Sequence, residues 1–356
     1  MSELLIKNGM VYTYIYEGYH AIKLRMADIY IKDGYIEEVA PDISRNCDTL
    51  DAKDCLVFPG MINVGASTFA SRITSGLVCD WRRGYGRIAP MLDMAAEILN
   101  RDELKAIAIT GLWETASSGA QTVIELGRSE IDDNAEGHPL FYRSAPKTVI
   151  DSVLDAGKEM GLQVYSGYCN KDGGLTLPEF NDTDIKGYIV TDSAITCADL
   201  GLPYSGYSNI KAGSMMTMGT GATSTSCMIK EMAATARAVK TKSDDPGIYR
   251  ASDVFYSATV VGGRELDENK HGRIGPGFFA NISVVDMKRF KPLSYPLSQY
   301  IYGATAQDVQ HVVCEGSVLK RDGEQPEKLQ KTISDASETA EAAITKLWKE
   351  ARKTII

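Results

Sequence analysis

The stretch LDAKDCLVFPGMIN, residues 50–63, separates two kinds of sequence pattern. Before it, short apolar runs are divided by turn dipeptides, which is typical of antiparallel strands. After it, strand-like runs alternate with helical ones, and this alternation indicates parallel βα units. The apolar run Leu56-Val57-Phe58, followed by Pro59-Gly60, therefore predicts the passage from a small β unit into an α/β unit.

The N-terminal part, residues 3–57, contains the dipeptides Asn8-Gly9 and Asp33-Gly34 between apolar runs. Both dipeptides tolerate positive φ, and between apolar runs they are strong signals of β-hairpins. Two predicted hairpins favour a small sheet over a helix bundle.

The middle of the chain predicts helices at about 101–117 and 147–160, each followed by a strand-like run, and further helices near 226–240 and 251–260. This order is typical of an α/β barrel or of a doubly wound sheet. We count about six strand candidates between residues 56 and 220, whereas a closed barrel needs eight. Either the barrel is trimmed or open, or some strands carry no clear sequence signal.

Strand patterns return at 280–285 and 309–313, near the other end of the chain. We therefore expect residues 1–57 and 275–322 to form one composite β-sandwich beside a TIM-like barrel domain, residues 58–274. The tail, 323–356, has apolar residues at helical spacing and charged residues between them. It is either a surface helix packed on its own chain or a helix that docks a partner.

Composition excludes several classes of protein. The 356 residues carry a net charge of −9, which argues against a nucleic-acid partner because phosphate neutralisation needs clustered cations. Neither a signal peptide nor a long apolar stretch is evident. The seven cysteines are scattered without a CxxC motif, which is typical of reduced thiols. These features predict a cytoplasmic protein without a membrane partner.

Four segments, in order, resemble the amidohydrolase superfamily, especially its cytosine deaminase and chlorohydrolase branch. They are the opening that starts LLIKNGMVYT and ends in FPGMIN, then DELKAIAITGLWETASSGAQTVIEL (102–126), GTGATSTSCMIKEM (219–232) and SDVFYSATVVGGRELDENKHGRIGPGFFANISVVD (252–286). The resemblance covers about residues 1–325. It implies a barrel with an N-terminal half-sandwich, and hydrolysis of non-peptide C–N bonds at a metal centre.

The positions that would hold the metal in that family carry other residues here. Gly65 and Ser67 stand where the family has two histidines, Gly167 lies where a third is expected, and Gly221 replaces the aspartate. Zinc needs three or more N, O or S side-chain donors, and glycine has none. We therefore expect no metal and no other cofactor.

Polar residues that follow the predicted strands are the candidate site, because α/β barrels place their sites at the carboxyl ends of strands. Glu125, Asp192 and Cys169 are the candidate catalytic residues. The candidate binding residues for a small polar ligand are Arg143, Tyr165, Tyr168, Asn170 and Thr220. Tyr165 and Tyr168 are large enough to fill the space that the absent imidazoles leave.

Two functions of different class remain. The loss of the matched metal ligands favours a non-catalytic pseudoenzyme: a small-molecule-binding, scaffolding or accessory subunit, in a homo-oligomer or a larger complex. The alternative is a divergent hydrolase of the deaminase or amidase type, in which Glu125 and Asp192 serve as acid and base in place of a metal.

Overall fold

The computed structural model describes residues 2–14, 22–75, 85–128, 144–169, 175–177, 183–185, 216–222, 225–264, 266 and 270–354. Two β-sheets and eight α-helices longer than one turn account for most of these residues. The α/β class predicted from the sequence is confirmed.

The larger sheet combines strands from both ends of the chain. Its strands are β1 (Glu3–Tyr14), β2 (Ile22–Lys32), β3 (Tyr35–Ala40), β4 (Asp48–Asp51), β5 (Cys55–Pro59), β11 (Ile282–Asp286), β12 (Val309–Cys314) and β13 (Ser317–Lys320). The order is β13-β12-β11-β5-β1-β2-β3, and β4 pairs with β1. The seam between the two ends is the antiparallel pair β5–β11, in which Val57 lies opposite Val284. Whether this sheet is an independent composite domain stays a prediction.

The two predicted hairpins differ in outcome. Asp33 and Gly34 both have positive φ and form the turn between β2 and β3, as predicted. The prediction of a hairpin at Asn8-Gly9 is wrong, because β1 continues through both residues with a shift of register against β2. Asn8 has a φ of 61° and its amide donates to Asp28, so the dipeptide forms a bulge rather than a turn.

The smaller sheet holds the strands of the βα region. β6 (Met61–Ala66), β7 (Ala120–Gly127) and β8 (Gln163–Cys169) are parallel, and β9 (Leu175–Leu177) and β10 (Thr183–Ile185) follow antiparallel. The segment 216–222 runs parallel to the free side of β6, where Val64 donates its amide to Met218. Within the described residues these strands do not close into a barrel.

The helices are α1 (Thr68–Thr74), α2 (Ile88–Ile98), α3 (Arg101–Ser117), α4 (Lys147–Met160), α5 (Met228–Ser243), α6 (Ala251–Tyr256), α7 (Pro296–Gly303) and α8 (Glu327–Thr354). The helices predicted in the middle of the chain are α3, α4, α5 and α6. A capping box at Asn100 and Glu103 starts α3, and left-handed Gly161 ends α4. No helix in the described part of the chain is long and apolar enough to cross a membrane.

The two faces of the smaller sheet are both buried. One face contributes to the main core, which the surrounding helices share. The other carries a smaller apolar cluster made of Ile62, Val64, Ile124, Leu126, Leu177 and Leu266, with Tyr165 packed against it. Burial on both faces explains why β7 is a continuous buried run rather than an alternating one.

Candidate functional site

The carboxyl ends of β6, β7 and β8 lie side by side with segment 216–222 at one edge of the smaller sheet. In this register Ala66 pairs with Gly221 on one side and with Glu125 on the other, and Glu125 pairs with Ser166. Because these four segments are neighbours in the sheet, residues far apart in the sequence lie together at one edge of it.

Gly65 and Ser67 mark the end of β6. Gly65 has a φ of +77°, and among the described residues no atom lies within 4 Å of the position that a Cβ would take. Ser67 is buried and precedes the first residue of α1. Gly65 is itself buried, so within the described part of the chain this strand end has a gap beside it rather than a packed side chain.

Glu125 is a fully buried carboxylate held at the start of α1. Its Oε2 accepts from the Thr68 amide at 3.0 Å and from the Thr68 hydroxyl at 2.9 Å, and its Oε1 accepts from the Phe69 amide at 3.2 Å. Burial raises the pKa of this carboxyl, and these hydrogen bonds oppose the rise. The contacts satisfy amides that the first turn of a helix cannot pair internally.

Thr220 is also fully buried and is engaged with β6. Its amide donates to Asn63 Oδ1 at 3.0 Å, and Asn63 Nδ2 donates to the Thr220 hydroxyl at 3.0 Å. Gly219 beside it has no room for a side chain, because a Cβ would lie 1.8 Å from the Val64 carbonyl oxygen. These contacts join segment 216–222 to β6; the role of Thr220 in ligand binding stays a prediction.

The two candidate tyrosines are both half-buried. Tyr165 packs against the smaller apolar cluster, which includes Ile62 and Ile124. The ring of Tyr168 lies against Gly127 at the end of β7, where a Cβ would be 2.8 Å from it. Gly167 between them is buried. Whether these tyrosines fill the space left by the absent imidazoles stays a prediction.

The remaining candidates are not placed by the structure. Arg143, Asn170 and Asp192 lie outside the described residues, and Cys169 ends β8 with a side chain that is not described. Their predicted roles stay predictions.

Sequence reasoning missed three polar residues at this edge. Asn63 joins Thr220, and Thr68 joins Glu125, through the hydrogen bonds given above. Arg128, directly after β7, donates to Asp93 at 2.7 Å and to the Ser144 carbonyl at 3.3 Å. Only Arg128 had an available signal, because it follows a predicted strand end as directly as the chosen candidates do.

The donor chemistry at the described part of this edge does not fit a zinc ion. Three glycines and a serine occupy the strand ends, and the carboxylate of Glu125 is engaged by α1. Among the described residues no three histidine, cysteine or carboxylate side chains come together. A tetrahedral site needs such a set.

Known proteins similar to this chain include deaminases. A 5′-deoxyadenosine deaminase of Methanothermobacter thermautotrophicus is 35% identical over 120 residues, which is 33% of this chain and only 28% of that protein. A 5-methylthioadenosine/S-adenosylhomocysteine deaminase of Thermococcus onnurineus is 24% identical over an alignment that spans 90% of this chain and 95% of its own. No protein-family model matches the chain.

Solved structures show the same fold. A zinc-bound adenosine deaminase from Xanthomonas campestris superposes with a TM-score of 0.65 at 16% identity, covering 97% of this chain and 99% of its own. A zinc complex of atrazine chlorohydrolase from Arthrobacter aurescens gives 0.69 at 14% identity, covering 95% and 100%. The resemblance to the amidohydrolase superfamily is confirmed.

The expectation of a non-catalytic scaffolding or accessory subunit is wrong. The similar proteins that align along nearly the whole chain are named as deaminases, and not as accessory proteins. Substitution of the metal-ligand positions alone was therefore too narrow a basis for assigning a pseudoenzyme.

Proposed function

We propose that this protein is a hydrolase of the deaminase type, which replaces an amino group on a nitrogen heterocycle by oxygen from water. The observation that carries the proposal is the similarity to a 5-methylthioadenosine/S-adenosylhomocysteine deaminase across 90% of this chain. The reaction consumes one water and releases one ammonia for each C–N bond broken.

The strand-end edge supports the proposal in two ways. The gap beside Gly65 among the described residues lies at the position where α/β barrels bind substrates. The half-buried ring of Tyr165, which packs against the smaller apolar cluster, offers a flat apolar surface that suits a heterocycle better than a charged chain. Tyr168, Thr220, Asn170 and Arg143 remain the proposed polar contacts.

Proton transfer in this proposal needs a group that is free to exchange protons. Glu125 is occupied by three donors from the start of α1, so we assign it a positioning role rather than the role of acid or base. Asp192 is then the proposed proton carrier, since a carboxylate within reach of the attacking water can serve as general base.

The proposal is tested by ammonia release from adenosine, 5′-deoxyadenosine, 5-methylthioadenosine and S-adenosylhomocysteine. Purified protein is assayed as isolated, after dialysis against a chelator, and after addition of zinc. We expect turnover of at least one nucleoside in the dialysed sample, and its loss in Asp192→Asn. Turnover that appears only with added zinc would refute the carboxylate mechanism, and no turnover in any sample would refute the function.

A further inference from the structure

Helix α1 is too short to hold its own conformation. It has seven residues, whereas isolated helices shorter than about 12 residues are marginal in water. No side chain of its own N-cap residue, Ser67, caps its first turn. The groups that hold α1 in place must therefore come from other elements, and the structure shows them at both ends.

The N-terminal end of α1 is held by Glu125 on β7, as described above. The C-terminal end is held by Trp348 on α8, whose Nε1 donates to the Ile73 carbonyl at 2.9 Å. Carbonyls in the last turn of a helix have no partner within the helix. Two side chains, one from a strand and one from the last described helix, thus cap a two-turn helix between them.

Two further contacts hold the middle of α1. The Ser71 hydroxyl donates to the carbonyl of Gly221 at 3.3 Å, and Arg72 Nε donates to the Thr110 hydroxyl on α3 at 3.2 Å. The carbonyl of Gly221 belongs to segment 216–222, another part of the strand-end edge. A displacement of α1 would therefore disturb both sides of the site.

We propose that Trp348 is a positioning residue for the strand-end site, and that α8 braces α1 through it. Gly65 and Ala66 end β6, and Ser67 joins them directly to α1, so a displacement of α1 would be passed on to this strand end. The consequence for turnover rests on the proposed function, whereas the mechanical link does not.

The variant Trp348→Phe isolates this link. Phenylalanine keeps an aromatic ring in the same half-buried place and removes only the N–H donor. The rest of α8 stays docked, because Ala336, Ala340, Ala343 and Leu347 are buried against the body of the protein. The matched control is Lys346→Ala, which removes an exposed contact from α8 to Glu103 on α3.

Amide hydrogen exchange, read by mass spectrometry on peptides that cover residues 66–75, tests the proposal. We expect roughly three- to tenfold faster exchange in Trp348→Phe, as for loss of one partly buried hydrogen bond. Exchange in β7 and α3 should stay unchanged, and Lys346→Ala should match the wild type throughout. Unchanged exchange of 66–75 in Trp348→Phe would overturn the proposal.

Turnover supplies the second readout. If the wild type deaminates a nucleoside, Trp348→Phe should lower kcat several-fold with little change in KM, since α1 orients the site more than it contacts substrate. An unchanged kcat together with faster exchange would overturn the positioning role and leave the mechanical link. An inactive wild type would refute the proposed function alone, because the exchange result does not depend on activity.

Discussion

The sequence position of Glu125 suggests an acid or base, whereas its contacts in the structure are those of a helix cap. A carboxylate at the end of a buried strand is a reasonable acid–base candidate. Its three donors come from Thr68 and Phe69, more than fifty positions earlier in the chain. Contacts at this separation leave no trace in the local sequence, so only the structure could reveal that the carboxylate caps a helix.

We predict that Glu125→Gln lowers the free energy of unfolding by about 1–3 kcal/mol, the range for a lost hydrogen bond to a buried charged group. The glutamine amide would turn an N–H₂ group toward donors that need an acceptor. Chemical denaturation measures the loss. Glu97→Gln, an exposed carboxylate on α2, is the matched control and should stay within about 0.5 kcal/mol of the wild type. Equal stability of the two variants would contradict the capping role.

His311 makes the stability of the folded protein dependent on pH. This buried side chain of β12 accepts the Asp322 amide at Nδ1, at 3.1 Å. Burial lowers the pKa of His311, and the positive charge of Arg321 lowers it further. Asp322 and Asp51 act in the opposite direction and raise it. The unfolded chain therefore binds a proton more readily than the folded one. Its stabilising contribution is complete above the ordinary histidine pKa and is lost as the pH falls through the lowered one.

We expect His311→Gln to lose less thermal stability than the wild type between pH 7.5 and 5, about the window in which an ordinary histidine becomes protonated. Glutamine can still accept the Asp322 amide but cannot be protonated. Melting temperatures at several pH values across this window provide the measurement. If both proteins lose stability in parallel on acidification, His311 does not contribute to the acid response.

At the scale of elements, the sequence predicted those structures that local chemistry determines. The α3 and α4 helices follow from the alternation of helical and strand-like runs, and the turn at Asp33-Gly34 follows from residues that tolerate positive φ. The bulge at Asn8-Gly9 was mistaken for a turn because Asp28, which pairs with the Asn8 amide, lies 20 positions away. The Trp348 contact with Ile73 spans 275 positions and has no sequence signal.

The pairing of β6 with segment 216–222 brings Gly221 to the edge of the smaller sheet where the candidate site lies. We predict that Thr220→Val lowers the free energy of unfolding by about 1–3 kcal/mol, because it leaves the buried Asn63 Nδ2 without its hydroxyl acceptor. Valine has nearly the same shape, so the loss measures the hydrogen bond. Thr339→Val on the exposed face of α8 should stay within about 0.5 kcal/mol of the wild type. A neutral Thr220→Val would show that this pairing does not depend on the hydrogen bond.

At the scale of the whole molecule, the two chain ends share one sheet and one apolar cluster. Ile282 and Val284 of β11 pack with Val11 and Ile29 of β1 and β2, and β11 pairs along the whole of β5. The pairing followed from strand patterns at both ends of the sequence. Closure of the smaller sheet into a barrel could not be predicted, since the sequence shows fewer strand candidates than the eight that a closed barrel needs.

Deletion of residues 275–356 should therefore unfold the N-terminal strands as well. β5 would lose its partner β11, and the apolar cluster would lose Ile282, Val284 and Val313. Far-ultraviolet circular dichroism under increasing urea provides the measurement, and co-expression of 275–356 as a separate chain should restore a cooperative transition. If the chain without residues 275–356 still unfolds cooperatively, the stability of the N-terminal strands does not depend on the shared sheet.

Hydrolysis of the deaminase type can be followed by the fate of the oxygen atom of water. The wild-type protein is dialysed against a chelator, its residual zinc is measured by plasma emission, and it is incubated with 5′-deoxyadenosine or 5-methylthioadenosine in isotopically labelled water. We predict that the product carries labelled oxygen where the amino group was, that ammonia appears in equal amount, and that Asp192→Asn abolishes both. Recovery of unchanged, unlabelled nucleoside from the wild type, with and without added zinc, would contradict the proposed function.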